Sequence, residues 1–231
     1  MVCPLPDTEC RYARKLHDSE TTIRAGGLGR KTEAEALETK RRILIAALDV
    51  FFEKGFARST LDDIADTAGM SRGAIYHHYE NKQELLYTLH QDLHISPIVT
   101  IIGRIKVAPV LSLDTLEHAC LDTFHHLRMN RLPFLALNVF NLKCEYAADL
   151  APLIEEKDRE VKESLAYLSR LFKDAQAQTL IYTDATPRVI AMAFYCFIEG
   201  LTLCFLKNPE TISESYIAKS VAFFLQSLKI N

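Results

Sequence analysis

Apolar residues recur along most of this chain at helical spacing. A first run over 33–54 places Leu44, Ala47, Leu48, Phe51 and Phe52 on one face, and Gly55 stops it. Three short units follow, each with its own N-terminal cap. Thr60 with Asp63 forms a capping-box pattern for a helix over 61–68, Ser71 caps 72–78, and Asn81 with Glu84 opens a longer helix from 82 to about 94 or beyond. Pro97 is placed to kink or end that helix. Beyond it, Leu116, Ala119, Cys120, Thr123, Phe124 and Leu127 form the apolar stripe of a helix over 113–129. Pro133 opens a helix to about Tyr146, Pro152 one over about 153–178, and Thr186-Pro187 one over 187–206 that is apolar on every face. A last helix, 212–228, is predicted to be capped by Thr211 with Glu214 and carries Ile217, Val221, Phe224 and Leu228 on one stripe. No stretch reads as a strand. The expected architecture is all-α, about nine helices: a small N-terminal bundle over 31–94 and a larger helical domain over 95–231.

Residues 1–30 break the pattern. They hold Gly26, Gly27 and Gly29, two early prolines and no periodicity, and read as a disordered extension. They also lack the apolar run of a signal peptide.

Composition narrows the picture. Apolar residues make up 48% of the 231 and charged residues 25%, as in a folded soluble protein. With only 8 Gly and 8 Pro, the chain is poor in the turns an all-β fold needs. The six cysteines form no Cys-x-x-Cys pair; four lie in apolar helical stretches and are read as small buried hydrophobes in a reducing, cytoplasmic setting. Helix 187–206 is long enough to cross a bilayer, but Glu199 interrupts it. A central charge costs about 2.5–3.5 kcal/mol on insertion, so a buried core or interface helix is expected and no membrane partner.

The segment TLDDIADTAGMSRGAIYHHY, residues 60–79, carries the chemistry. Two short helices meet at a turn where Gly69 supplies positive φ, with small Ala65 at the crossing and Ile64, Met70 and Ile75 as the pins. That is the logic of a helix-turn-helix whose second helix lies in a DNA major groove. The exposed face of that helix offers Ser71, Arg72, Gly73, Ala74, Tyr76, His77 and His78, with Thr60 at the preceding cap. Gly73 and Ala74 let the backbone approach the duplex, and Arg72 suits a guanine edge or a phosphate. Lys82, at a helix N-terminus, is read as a phosphate seat. Charge sits awkwardly with this: from Arg30 to Pro97 there are nine Lys plus Arg against eleven Asp plus Glu. A DNA face then requires Arg41, Arg42, Arg58, Arg72 and Lys82 to gather on one side, with Asp62, Asp63, Asp66 and Glu84 turned away.

Residues 40–94 resemble the N-terminal domain of the TetR family of bacterial repressors. The resemblance rests on Ile43 to Gly55, Ser59-Thr60-Leu61, Ile64-Ala65, Ala68-Gly69, Ser71 through Tyr79, and Lys82-Leu85-Leu86. Lys31-Thr32, Glu38-Thr39-Lys40, Lys143 through Tyr146 and Gly200-Leu201 look like the AcrR-type branch, the repressors of multidrug efflux pumps. The resemblance implies an all-helical homodimer that binds palindromic double-stranded operator DNA and releases it when a small-molecule effector enters the C-terminal domain. It implies no enzyme activity, metal or cofactor; a metabolic regulon, of lipid or amino-acid genes, is the alternative.

A pocket for an apolar or cationic effector needs aromatic walls and a few polar groups. Phe124, Phe134 and Tyr167, with Asn138, Asn141 and Glu145, are the candidates. The helix from Lys82 is expected to run from the DNA-binding part into the ligand domain as the lever. Phe194, Ile198, Leu201 and Phe205 with Ile217, Val221, Phe224 and Leu228 are expected to form a four-helix dimer interface. His90 and His94 have metal-ligand spacing on one helix but no third ligand nearby in sequence.

Overall fold

The computed structural model describes residues 28–93, 96–108, 112–144, 150–181 and 184–229, with side chains from Glu35 onward. Of the stretch 1–30 that the sequence marks as a disordered extension, residues 1–27 lie outside this range, as do Glu145, Tyr146 and His94, whereas Leu28 to Arg30 already belong to a helix. Every described element is helical: α1 (Leu28–Lys54), α2 (Leu61–Ala68), α3 (Arg72–His78), α4 (Lys82–Leu93), α5 (Pro97–Lys106), α6 (Leu113–Met129), α7 (Arg131–Asn138, continued by a π-turn over Val139–Lys143), α8 (Ala151–Ala177), α9 (Pro187–Lys207) and α10 (Glu214–Gln226). Each helix expected from the periodicity is present.

The caps explain most of the boundaries. Thr60, Ser71, Ser112 and Thr186 each accept a hydrogen bond from the N–H three residues on. The cap of α10 is Ser213, not Thr211: the Ser213 hydroxyl accepts from the Tyr216 N–H. Pro97 does not merely kink the preceding helix. It takes the first position of α5, a helix the periodicity does not announce, with Ser96 before it.

Two compact units emerge. The first takes the described residues within Cys3–His94 and Leu135–Leu153, the second those within Ile95–Phe134 and Ile154–Asn231. In the first, α1 packs on α2, α4 and the π-turn, and α2 on α3. Ile43, Leu48, Phe51, Ile64, Ile75, Leu85 and Leu86 fill its centre. In the second, α6 packs on α5 and α10, and α5 on α9. Rings interlock there edge to face: Phe124 and Phe134 on Phe205, and Phe172 on Phe194.

α9 is the one helix among the described residues long and apolar enough to cross a membrane by length and composition. It buries Ile190, Phe194, Ile198, Leu201 and Phe205 against its own unit.

Candidate nucleic-acid interface

The site begins with the turn between α2 and α3. Gly69 adopts φ 63° and ψ 41°, and a Cβ there would touch nothing within 4 Å. The glycine is therefore required by its backbone dihedrals, not by crowding. Its N–H and that of Met70 return to the Asp66 and Ala65 carbonyls, at 3.1 and 3.0 Å, which closes α2. Arg42 of α1 donates to the Ala68 carbonyl at 2.8 Å and ties the same end down.

From that turn α3 emerges with Ile75 buried and Ser71, Arg72, Gly73, Tyr76 and His77 exposed; Ala74 and His78 are half-buried. Gly73 faces open space: a Cβ there would meet no atom within 4 Å. Tyr76 is 57% exposed. His77 and His78 meet edge to face at 5.2 Å. Burial, and then the charges of His77 and Lys40, push the His78 imidazole down from its usual range, so at neutral pH it is an uncharged polar group. Tyr79, which ends α3, is buried, and burial with Asp92 and Glu84 pushes its phenol up to about 12.

The basic residues are less free than their numbers suggest. Arg72 is ion-paired with Asp62 of α2, so Asp62 is not turned away as the charge argument required. Lys54 bonds Asp63 at 2.7 Å. With the Thr60 hydroxyl, that bond holds the Asp63 carboxyl below its ordinary value. Asp63 in turn accepts from the Thr60 N–H and hydroxyl at 3.0 and 2.9 Å, so the Thr60 side chain is occupied as a cap.

Lys82 differs most from the sequence reading. Its ammonium donates to the carbonyls of Phe56, Ala57 and Ser59, at 2.7, 3.0 and 3.1 Å. An ammonium has three donors, and all three are used within the fold. Lys82 fastens the 55–59 loop to the start of α4 and is not a phosphate seat.

That loop also receives a contact that the sequence does not disclose. The Phe56 N–H donates to the Lys143 carbonyl at 3.1 Å, at the end of the π-turn. Asn138 and Asn141, read as pocket residues with Phe124, Phe134 and Tyr167, belong to this first unit, whereas the three aromatics belong to the second. Within the second unit, Lys106 sits 4.9 Å over the Tyr167 ring. Asn141 donates to its own helix, to the Leu137 carbonyl at 2.8 Å. α4 covers Lys82–Leu93, within the first unit, and the continuation of the expected lever through His94 and Ile95 lies outside the described residues.

The geometry is a capped, glycine-turned helix pair presenting a polar helix of seven residues. Residues 43–88 match the model of the tetR family of bacterial regulatory proteins. That stretch is a tetR-type DNA-binding segment. Among similar proteins, the HTH-type transcriptional regulator TtgR of Pseudomonas putida is 27% identical over 79% of this chain and 87% of its own. The HTH-type transcriptional repressor BepR of Brucella suis is 28% identical over 74% and 82%. The crystal structure of NalD, the secondary repressor of the MexAB-OprM multidrug efflux pump in Pseudomonas aeruginosa, superimposes with a TM-score of 0.71. It covers 85% of this chain and 98% of its own, at 25% identity.

The interface residues expected on α9 and α10 need correction. Phe194, Ile198, Leu201, Phe205, Ile217 and Val221 are buried within one protomer, where they form the core of the second unit. Phe224 stacks on Phe197 at 4.8 Å, and Leu228 is half-buried. What these helices leave open is the opposite face: Val189, Met192, Cys196 and Leu203 on α9, Tyr216 and Phe223 on α10. Cys196 and Cys204 are thus exposed, against the reading of buried thiols; Cys120 is buried as expected, and burial pushes its thiol up.

Proposed function

We propose that this protein is a ligand-responsive transcriptional repressor that binds double-stranded operator DNA as a homodimer, with a multidrug efflux operon as its target. The observation that carries the DNA-binding reading is the exposed face of α3: Arg72, Tyr76 and His77 project beside Gly73, which has no internal packing role. A glycine in the first turn of a helix weakens it without return inside the protein, and the return here is close approach of backbone to a duplex. The efflux reading is supported by the likeness to NalD over most of both chains.

The dimer reading is supported by the exposed apolar face of α9 and α10. Phe223 is 78% exposed, and on α9 Val189, Met192, Cys196 and Leu203 follow one another at three- and four-residue and one seven-residue spacing. A second copy of the same two helices covers that face in an isologous four-helix contact. To read successive major grooves, the two α3 helices of such a dimer must stand about 34–36 Å apart, one turn of DNA. The effector is proposed to be an apolar or amphipathic molecule held by helices of the second unit. Release follows if it prefers a state whose two α3 helices are wrongly spaced; a hundredfold preference is worth about 2.7 kcal/mol per site. The protein would then act in the cytoplasm, where its DNA is.

The test is a gel shift of the full chain on the DNA upstream of its own gene, repeated with efflux substrates added. Selective binding released by such a compound supports the whole reading. Selective binding that no efflux substrate releases leaves a DNA-binding repressor and removes the efflux assignment.

A further inference from the structure

We propose that Asp62 is a specificity-determining residue: by gripping the Arg72 guanidinium from the preceding helix, it fixes the angle at which Arg72 meets a base and penalises binding to sequences where Arg72 finds no guanine. The proposal rests on the DNA-binding reading above and extends it to a residue that itself need not touch a base.

Arg72 is the first residue of α3, next to the Ser71 cap, and its side chain is 70% exposed. An arginine in that position, unrestrained, swings through many rotamers and finds phosphates as readily as bases. The pair uses Nη2 of Arg72 and Oδ2 of Asp62. A guanidinium has five donors in a rigid plane, so one grip leaves the rest of the fork aimed outward in a defined orientation. A fork held in plane suits the O6 and N7 acceptors of guanine, which demand two parallel bonds. Asp62 is itself anchored: it lies in the first turn of α2, where the Thr60–Asp63 capping box fixes the backbone. Both ends of the pair thus spring from capped helix starts joined by the Gly69 turn.

The second consequence is electrostatic. A carboxylate beside the groove repels phosphate wherever Arg72 cannot stay paired and bonded to a base at once. Asp62 therefore lowers non-specific affinity, and the specific complex escapes the penalty because Arg72 bridges carboxylate and base. In a domain already net acidic from Arg30 to Pro97, by nine positive against eleven negative side chains, this keeps the protein from settling on arbitrary DNA.

Selection from a random-sequence duplex pool, with full-length wild type, Asp62→Asn, Asp62→Glu and Arg72→Ala, tests this directly, because the protein itself picks out the sequence it prefers. Melting temperature serves as the fold control. Wild type is expected to enrich a two-fold motif with a guanine in each half-site. Arg72→Ala erases the preference at that position, Asp62→Asn relaxes it about tenfold, and Asp62→Glu retains most of it. Asp62→Asn is also expected to bind a mixed-sequence competitor duplex several-fold more tightly than wild type. A motif with unchanged base preference in Asp62→Asn overturns the proposal, and so does a motif that Arg72→Ala leaves intact. If wild type enriches no sequence at all, the DNA-binding reading itself fails. Misfolding cannot imitate the expected result, because an unfolded chain selects no altered motif.

Discussion

The ammonium of Lys82 lies 2.7 Å from the carbonyl oxygen of Phe56 and 4.7 Å above the ring of the same residue. Phe56 meanwhile donates its N–H to Lys143 and sets its ring edge-on to Phe51 of α1. Three segments of the first unit therefore converge on one loop residue, shortly before the cap of α2. Replacing Lys82 with Met removes three charge-assisted bonds and leaves carbonyls to find water. The expected cost is about 1–3 kcal/mol of stability, read by chemical denaturation of the first unit's transition. A phosphate-contacting lysine would behave differently: its loss would weaken DNA binding and leave the denaturation midpoint in place.

Gly69 and Gly73 separate two uses of glycine four residues apart. Gly69→Ala forces a Cβ into the left-handed region and should cost about 1–2 kcal/mol. Gly73→Ala meets open space on a helix and should leave stability unchanged or raise it by up to about 1 kcal/mol. DNA affinity should nonetheless fall in Gly73→Ala, because the added methyl stands where the duplex approaches. Thermal melting and gel shift on the two variants check both signs.

Glu160 of α8 gives the second unit a pH dependence. Burial, then the charges of Glu156 and Glu163, raise its carboxyl to about 7, against the pull of Arg159 and Lys157. A pKa higher in the folded than in the unfolded state means that the folded state holds the proton more tightly. The stability this contributes is complete below the unfolded value of 4.5 and is lost as pH rises towards 7. Solvent reaches part of the group, so the loss is put at about 1 kcal/mol rather than the full linkage value. Denaturation midpoints at pH 5 and pH 8 should differ in wild type and converge in Glu160→Gln, which is expected to be the more stable of the two at pH 8.

Phe223→Asp tests the dimer face. Phe223 makes little contact within its protomer, so folding should survive the change. A charge at the centre of a two-fold apolar contact is placed opposite its own copy, and light scattering should report a monomer at concentrations where wild type runs at twice the chain mass. Val221→Asp, by contrast, strikes a fully buried residue and should unfold the second unit.

Much of this fold is legible in the sequence. The caps at Thr60, Ser71 and Thr186 and the glycine at position 69 are local devices, and local devices survive translation into structure because only a few neighbouring residues decide them. α5 escapes the pattern because Pro97 reads equally as a stop and as a first helical residue. The interface is misassigned for a different reason. On α9 the periodicity marks apolar residues all round, and nothing in a sequence says which side belongs to the protomer's own core. Phe194 and Phe205 take that side, and Val189 and Leu203 the other. Lys82 misleads because a lysine at a helix N-terminus satisfies both a phosphate and three loop carbonyls, and the carbonyls lie 23 to 26 residues away in sequence. Asp62 escapes notice because charge counting assumes that an acidic residue near DNA is a nuisance to be hidden.

The central claim is that the exposed face of α3 recognises DNA by sequence. Fluorescence anisotropy of the full-length protein on a duplex from the region upstream of its own gene, in excess mixed-sequence competitor, tests it most directly when wild type is compared with Arg72→Ala and Tyr76→Ala. Both residues are exposed, so both variants should melt as wild type does. The account predicts competitor-resistant binding by wild type and a loss of about 1–3 kcal/mol in each variant. Wild-type affinity in both folded variants, or binding that the competitor abolishes entirely, would contradict it.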